Sequence, residues 1–286
     1  MGQRAQQQFL FCRPLAPWGA PIPRTDHQMN AHRNDTARFN SIYLARIREM
    51  LLRIHDEERG VMTRAAKRMA EQIAADRLIY VYGPGGHSNV ASQEVFFRAG
   101  GLAYISSILD EGTLLSNGAL RSIAMERCPG YGQTVIANQQ LVEGDLLLLV
   151  SAYGVNSALI DAALEARSRG TFLVGLNSHE HSLSCAPDHP ARHPSKQNLQ
   201  DLVDLAIDTK VPVGDAIVEI PGVVQPVGPA STFANIFALN CLVVQTIAIL
   251  AEHGVTPPVW RSSNTAGGDA ANAELISRFR GRIRWL

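Results

Sequence analysis

Five short apolar runs set the limits on what this chain can fold into. They are LIYVY (78–82), AYISSI (103–108), LLLLVS (146–151), FLVGLN (172–177) and DLAID (204–208). Several carry almost no alternation of apolar and polar residues, the pattern of strands buried on both faces of a parallel sheet. Helical segments lie between most of them. The clearest is NSALIDAALEARSRG (156–170), where Asn156 or Ser157 can cap, Leu159, Ala162, Ala163 and Ala166 form one face, and Gly170 stops the helix. Strands alternating with helices predict an α/β fold, a doubly wound five-stranded parallel sheet flanked by helices.

The flanks fit one such domain over residues 39–286. Ile42, Ala45, Ile47, Met50, Leu51 and Ile54 recur near a 3.6-residue period, and the helical pattern runs to Arg77 with Gly60 dividing it into two helices. A late helix starts at GPASTF (228–233), with Ser231 a candidate cap, and runs to Gly254 ahead of Pro257 and Pro258. Apolar on nearly every face, it must be central or lie in an oligomer interface. Asn235, Asn240 and Gln245 interrupt it, which favours a buried helix over a membrane span. Residues 1–38, rich in Gln, Pro and Arg without periodicity, read as a flexible leader.

Charge narrows the partners. The formal net charge is zero and no dense Lys/Arg stripe appears, so phosphate neutralisation along a nucleic acid has no footing. Cys12, Cys128, Cys185 and Cys241 lack CxxC spacing, and FLF at 9–11 is too short for a secretory signal. A reduced, cytoplasmic chain is expected, with neither nucleic acid nor membrane as partner.

In an open parallel sheet, ligands sit at the carboxyl ends of the strands. Three polar helix entrances lie at or near such ends. VYGPGGHSNV (81–90) packs Gly83, Gly85 and Gly86 ahead of His87, Ser88 and Asn89. It lacks the third glycine of a dinucleotide fingerprint and the Gly-Lys-Ser/Thr of a P-loop. A Gly-rich turn with a satisfied histidine is the plainer reading. VSAYGVNS (150–157) offers Ser151, Asn156 and Ser157, and GPASTF offers Ser231 and Thr232. Converging, these groups would hold a phosphate or a polyhydroxylated ligand without any cationic side chain.

GGHSNVASQEVFFRAGG, NGALRSIAMERCPGYG, VPVGDAIVEIPG, VGPAST and NTAGGD give the chain a resemblance to the SIS (sugar isomerase) domain family. The resemblance covers roughly residues 45–280 and is nearest to a single-domain branch. Phosphoheptose isomerases and N-acetylmuramic acid 6-phosphate etherases are more distantly similar. It implies a phosphosugar bound at Ser/Thr-rich strand ends and a homo-oligomer, dimer or tetramer, with pockets completed by a neighbouring subunit. One departure stands out: where the family's loop reads Ser-x-Ser-Gly, this chain has Ser151-Ala152-Tyr153-Gly154. A phenol replaces a phosphate-binding hydroxyl.

Aldose–ketose isomerisation needs a base that moves a proton between adjacent carbons and a partner that handles the oxygens. Heptose isomerases place a Glu on the helix after the first loop and a His on the late helix. The resemblance thus implies Glu94 as the base, but the late-helix position here holds Leu239 or Asn240. The histidine must come from elsewhere. His87 can share a helix face with Glu94, although Glu94 can equally pair with Arg98 at i,i+4. SHEHSLSCAPDHPARHPSK (178–196) supplies His179, His181, His189 and His193 beside Glu180, Cys185 and Asp188, a metal-like composition without a clean spacing motif. No metal or cofactor is expected. His193 matches a recurrent Arg-His segment of the resembling branch. Asp215 and Glu219 form a further i,i+4 pair, either of which could be a second carboxylate.

The expectation is therefore an isomerase of a phosphorylated or otherwise anionic sugar. Glu94 would be the base with His87 or His193 as its partner. Gly86, Ser88, Asn89, Ser151, Tyr153, Asn156, Ser157, Asp215, Glu219, Ser231 and Thr232 would bind. A phosphosugar lyase or etherase, or a non-catalytic phosphosugar-binding regulator, would use the same residues.

Overall fold

A computed structural model of the 286-residue chain describes residues 36–286. It divides into two units, residues 1–40 and 41–286. The leader expected over 1–38 lies outside the described residues as far as 35, and helix α1 (Ala37–Glu57) begins within its last residues.

All five expected strands form. β1 (Ile79–Tyr82), β2 (Ile105–Ser107), β3 (Leu146–Val150), β4 (Phe172–Asn177) and β5 (Leu205–Asp208) make one parallel sheet in the order β2-β1-β3-β4-β5. After β1 the chain steps to one edge, then crosses back to β3 and proceeds to the other edge. The connections thus reverse direction between β1 and β3, whose ends align at Tyr82 and Leu149. That reversal is the switch point at which open α/β sheets bind ligands.

β3 shows why its run reads as unbroken leucine. Leu146, Leu148 and Val150 join one core with α2 (Arg59–Ala74) and α8 (Ser231–Glu252). Leu147 and Leu149 join a second core with α5 (Tyr131–Ala137) and α6 (Ser157–Ser168). Both faces are buried, so neither can be polar. The remaining helices are α3 (Ser88–Glu94), α4 (Ala119–Glu126), α7 (His179–Ser184) and α9 (Gly268–Phe279).

Three details depart from expectation. The α1/α2 break falls at Glu58, and Gly60 lies in the first turn of α2. A tertiary contact sets it: the Glu58 carboxylate accepts from Asp208 N (3.2 Å) and pairs with Lys210 Nζ (2.6 Å) at the end of β5. VPVGDAIVEI is not helical, so Asp215 and Glu219 are no i,i+4 pair. Asp215 sits at φ 68, and an antiparallel pair of short strands follows, β6 (Ala216–Val218) with β7 (Val227–Pro229). Helix α8 starts at Ser231, which leaves Ser231 inside the helix instead of capping it.

Helix α8 is long and apolar enough to cross a membrane by length and composition. One face packs in the core through Leu239, Leu242, Val243 and Leu250, and two of its polar residues are engaged there, while the buried Asn235 Oδ1 has no hydrogen-bond partner among the described residues. Thr246 donates to Leu242 O (2.7 Å) and Gln245 to Thr63 Oγ1 (2.8 Å). The opposite face leaves Phe233 and Val244 exposed. Cys128, Cys185 and Cys241 are free thiols.

Candidate active site

The three glycines after β1 each face a neighbour that leaves no room for a side chain. A Cβ on Gly83 would lie 2.3 Å from the Ser88 carbonyl oxygen, and one on Gly86 2.4 Å from Leu115 Cδ2. Gly85 has φ +121, and its Cβ would lie 2.9 Å from Glu126 Oε1. So a helix carbonyl and a leucine exclude a side chain at Gly83 and Gly86, and the positive φ requires glycine at 85. Asn89 locks it, donating to Gly85 O (3.2 Å) and Thr113 Oγ1 (3.0 Å). Ser88 is buried but its hydroxyl has no partner among the described residues, and His87 stands exposed.

Helix α3 is only seven residues long, so His87 and Glu94 stand at its opposite ends, roughly 10 Å apart. Phe97 turns the chain at φ 47, and Arg98 Nε pairs with Glu94 Oε1 at 3.2 Å. The structure does not bring Glu94 and His87 together as an acid–base pair. Glu94 instead makes the alternative contact, a half-exposed ion pair past the helix end.

The β3–α6 loop is closed on itself. Ser151 Oγ accepts from the amides of Tyr153 (3.2 Å) and Gly154 (3.1 Å). Tyr153 stacks on His181, ring centroids 3.7 Å apart and planes 19° from parallel. Burial, then the charges of Asp215 and Glu126, pushes the Tyr153 phenol up to about 12, so it keeps its proton at neutral pH. Burial also lowers the affinity of His181 for a second proton, with His189 adding to the effect. The side chains of Asn156 and Ser157, both buried, have no hydrogen-bond partner among the described residues.

The third entrance is capped from a distance. Asp215 Oδ1 accepts from the amides of Ala230 (2.9 Å) and Ser231 (2.6 Å), and Ser231 Oγ donates to Asp215 Oδ2 (2.8 Å). The positive φ of Asp215 aims its carboxylate at the helix entrance, where the dipole favours negative charge. Thr232 is half-buried without a polar partner. Glu219 is exposed and lines a groove with Ile42, Arg46 and Pro212, apart from these loops.

His193 is buried in a pair of its own. Ser195 N donates to its Nδ1 (3.1 Å), so Nε2 carries the hydrogen and donates to Asp161 Oδ1 (3.0 Å). Asp161 Oδ2 accepts from Gly130 N (2.6 Å). Both ring nitrogens are engaged in fastening the 191–198 loop to α6, which leaves neither for substrate in this arrangement. Among the described residues, no group of three or more His, Cys, Asp or Glu is placed to hold a metal.

Two groups at the switch point were not among the expected site residues, although both lie in quoted stretches, Glu126 in NGALRSIAMERCPGYG and Tyr82 in VYGPGGHSNV. Glu126, the last residue of α4, presses against Gly85 with no hydrogen-bond or ion-pair partner among the described residues. Burial pushes its carboxyl up from 4.5 to about 7, against a weaker opposing effect of Arg127. Tyr82, the last residue of β1, is fully buried, and its hydroxyl has no partner among the described residues. Burial and the charges of Asp110, Tyr131, Glu126 and Asp161 hold that phenol well above its usual range. Tyr131 donates to Asp110 Oδ2, which also accepts from Gly112 N (3.0 Å). A carboxyl near half ionisation at neutral pH can accept a proton and return it.

A SIS domain model matches residues 42–178. The UPF0309 protein of Halalkalibacterium halodurans is 35% identical over 244 residues, covering 85% of this chain and 96% of its own length. That of Geobacillus thermodenitrificans is 34% identical over 241 residues, covering 84% and 95%. Among solved structures, a phosphoheptose isomerase from Francisella tularensis is similar at TM-score 0.45 and 18% identity, covering 74% of this chain and 98% of its own. The Vibrio vulnificus NanR protein complexed with ManNAc-6P is similar at TM-score 0.44 and 14% identity, covering 92% and 76%. With the SIS domain model and the UPF0309 relatives in agreement, the chain belongs to the SIS-domain proteins of the UPF0309 family.

Proposed function

We propose that this protein interconverts an aldose and a ketose at the β1/β3 switch point, with Glu126 as the proton carrier. The observation that carries the reading is a half-buried carboxyl with no hydrogen-bond partner among the described residues, held against the glycine loop at the strand ends, where burial pushes it up to about 7. Structural carboxylates in this fold look different. Asp161, Asp208 and Asp215 each accept two or more hydrogen bonds from the protein. A half-buried carboxyl beside a glycine loop, raised by burial and without a protein partner, fits a group kept for chemistry.

In the reaction, the Glu126 carboxylate removes the proton from C2 of the open-chain aldose. The C2–H electrons form the C1=C2 bond of an enediol as the O1 carbonyl oxygen takes a proton from a water at the site. Glu126 then returns its proton to C1, and the C2 hydroxyl gives its proton back to the resulting hydroxide as it becomes the ketone, so a single carboxyl serves both carbon steps. The Tyr153 phenol, protonated at neutral pH, is a donor for a sugar oxygen. Ser88, Asn156 and Ser157 have polar groups left to meet sugar hydroxyls. Ser151, Ser231 and Asn89 are bonded within the protein, and they shape the loops instead.

The test is deuterium exchange. Aldoses and ketoses incubated with the protein in D2O are followed by proton NMR for solvent deuterium at C1 and C2. The wild type is expected to exchange at least one of them. Glu126→Gln should lower that rate by roughly two to four orders of magnitude while the sugar still binds. Glu94→Gln should leave it unchanged. Loss in Glu94→Gln with retention in Glu126→Gln would overturn the assignment of the base. Sugar binding without exchange in the wild type would favour a non-catalytic binding protein.

A further inference from the structure

We infer that His181 is a positioning residue for the sugar site, acting through Tyr153, whose ring it holds so that the hydroxyl is ready as a donor. Tyr153 is half-buried, and its hydroxyl has no hydrogen-bond partner among the described residues. Such a phenol serves binding well only when its ring is fixed beforehand, because ordering a free side chain on association costs affinity. The backbone of the loop is already fixed. Ser151 Oγ accepts from the amides of Tyr153 and Gly154 (3.2 and 3.1 Å), and Ala152 O accepts from Ser178 N (3.1 Å). Gly154 turns at φ +74, where a Cβ would lie 2.5 Å from Asn177 Nδ2. None of these contacts reaches the phenol ring. The ring rests on His181, centroids 3.7 Å apart and planes 19° from parallel.

The imidazole is itself anchored from two sides. It is the third residue of α7, a helix capped by Ser178, whose hydroxyl accepts from His181 N (3.1 Å) and donates to Val211 O (2.5 Å). Ser178 is fully buried and its amide also holds Ala152, so one residue places both rings. At the ring edge, His181 Nδ1 accepts from Gly214 N in a long bond of 3.4 Å, which leaves the ring hydrogen on Nε2. Gly214 precedes Asp215, the residue that accepts from Ala230 N and Ser231 N at the entrance to α8. His181 therefore stands between the second and third entrances, meeting one with its face and the other with its edge.

The inference rests on the reading of Tyr153 as a donor to a bound sugar, and a double-mutant cycle tells the two apart. D-Glucose, D-mannose, D-ribose and their terminal phosphate esters are titrated calorimetrically, and the tightest binder is carried through His181→Leu, Tyr153→Phe and the double variant. Leu fills the space of the imidazole without a flat ring, and Phe keeps the stack without the hydroxyl. Each single variant should weaken Kd roughly five- to tenfold, the worth of one hydrogen bond, and the double variant should lose no more than either. His181→Phe restores the stack and should return Kd to within about twofold of wild type, since water can meet the exposed Gly214 amide. The cycle is read on Kd, so it does not depend on turnover. Where the sugar exchanges deuterium, the loss should fall on KM, with the saturating rate within about threefold of wild type. Without ligand, the His181 ring protons should move downfield in Tyr153→Leu as the ring current of the phenol is lost. Additive losses in the double variant, no rescue by His181→Phe, a loss confined to the saturating rate, or ring protons indifferent to Tyr153→Leu each overturn the inference and leave the sugar reading standing. Binding of none of the panel removes the sugar reading and this inference with it.

Discussion

Replacing Glu126 with glutamine should make the protein more stable at alkaline pH while abolishing its proton transfer. Gln has nearly the shape of a protonated Glu, so the substitution keeps the packing against Gly85 and removes only the ability to ionise. In the unfolded chain the carboxyl ionises near 4.5, and in the folded protein near 7. The folded state therefore binds the proton more tightly, and the stability it draws from this is fully present below 4.5 and is lost as the pH rises through 7. Each tenfold difference in proton affinity is worth about 1.4 kcal/mol. Moving the carboxyl between those two values amounts to ~3 kcal/mol at pH 8, and partial contact with solvent brings this toward ~2 kcal/mol. Urea unfolding of wild type and Glu126→Gln at pH 4.5, 6 and 8 reads it directly. The variant should match the wild type within ~0.5 kcal/mol at pH 4.5 and exceed it by ~2–3 kcal/mol at pH 8. A difference that does not change with pH would show that Glu126 is solvated or paired in the folded protein, and the argument for it as the proton carrier would go with it.

Other consequences are simpler to state. Gly85→Ala puts a Cβ 2.9 Å from the Glu126 carboxylate at a φ of +121, so thermal unfolding should show a loss of about 1–3 kcal/mol together with loss of exchange activity. Glu94→Gln breaks an exposed pair with Arg98 and should shift stability by less than about 0.5 kcal/mol in urea unfolding. The outer face of α8, with Val244 66% exposed beside Phe237 and Cys241, is expected to pair with a second copy of the chain. Light scattering at micromolar concentration should give at least a dimer, and Val244→Glu should shift it toward monomer.

The strands were legible because a parallel sheet covered on both faces demands what the sequence displays. LLLLV can alternate between two cores, and nothing in it has to face water. The pieces that were not legible depend on distant partners. Glu58 breaks the first helical stretch because Asp208 N and Lys210 reach it from the end of β5, and no local residue announces that contact. Strands β6 and β7 are three residues each, too short for periodicity to register, and the positive φ that starts them sits on Asp215, an aspartate, where a reader watches for glycine.

The site divides along the same line. Polar helix entrances at strand ends could be read from VYGPGGHSNV and VSAYGVNS, because strand, turn and cap each leave a local trace. Whether a hydroxyl in such an entrance is available could not, since that depends on what lies across the turn. Ser151 is taken by two amides of its own loop and Ser231 by Asp215, while Ser88 and Ser157 have no side-chain partner among the described residues. Glu126 lies inside the block NGALRSIAMERCPGYG that carries the family resemblance, but between Met125 and Arg127 nothing local marks it as different from a surface glutamate. Of the three glycines beside it, Gly85 answers to its own backbone, at φ +121, and the two beyond a turn's need are Gly83 and Gly86, pressed by the Ser88 carbonyl oxygen and by Leu115. A side chain at 85 strains the loop at that φ and crowds the end of the Glu126 side chain at 2.9 Å. Gly85→Ala should therefore lower stability and exchange activity together, whereas Glu126→Gln should lower exchange activity alone at pH 4.5, and an exchange rate in Gly85→Ala equal to the wild type would show that the loop does not hold the carboxyl in place.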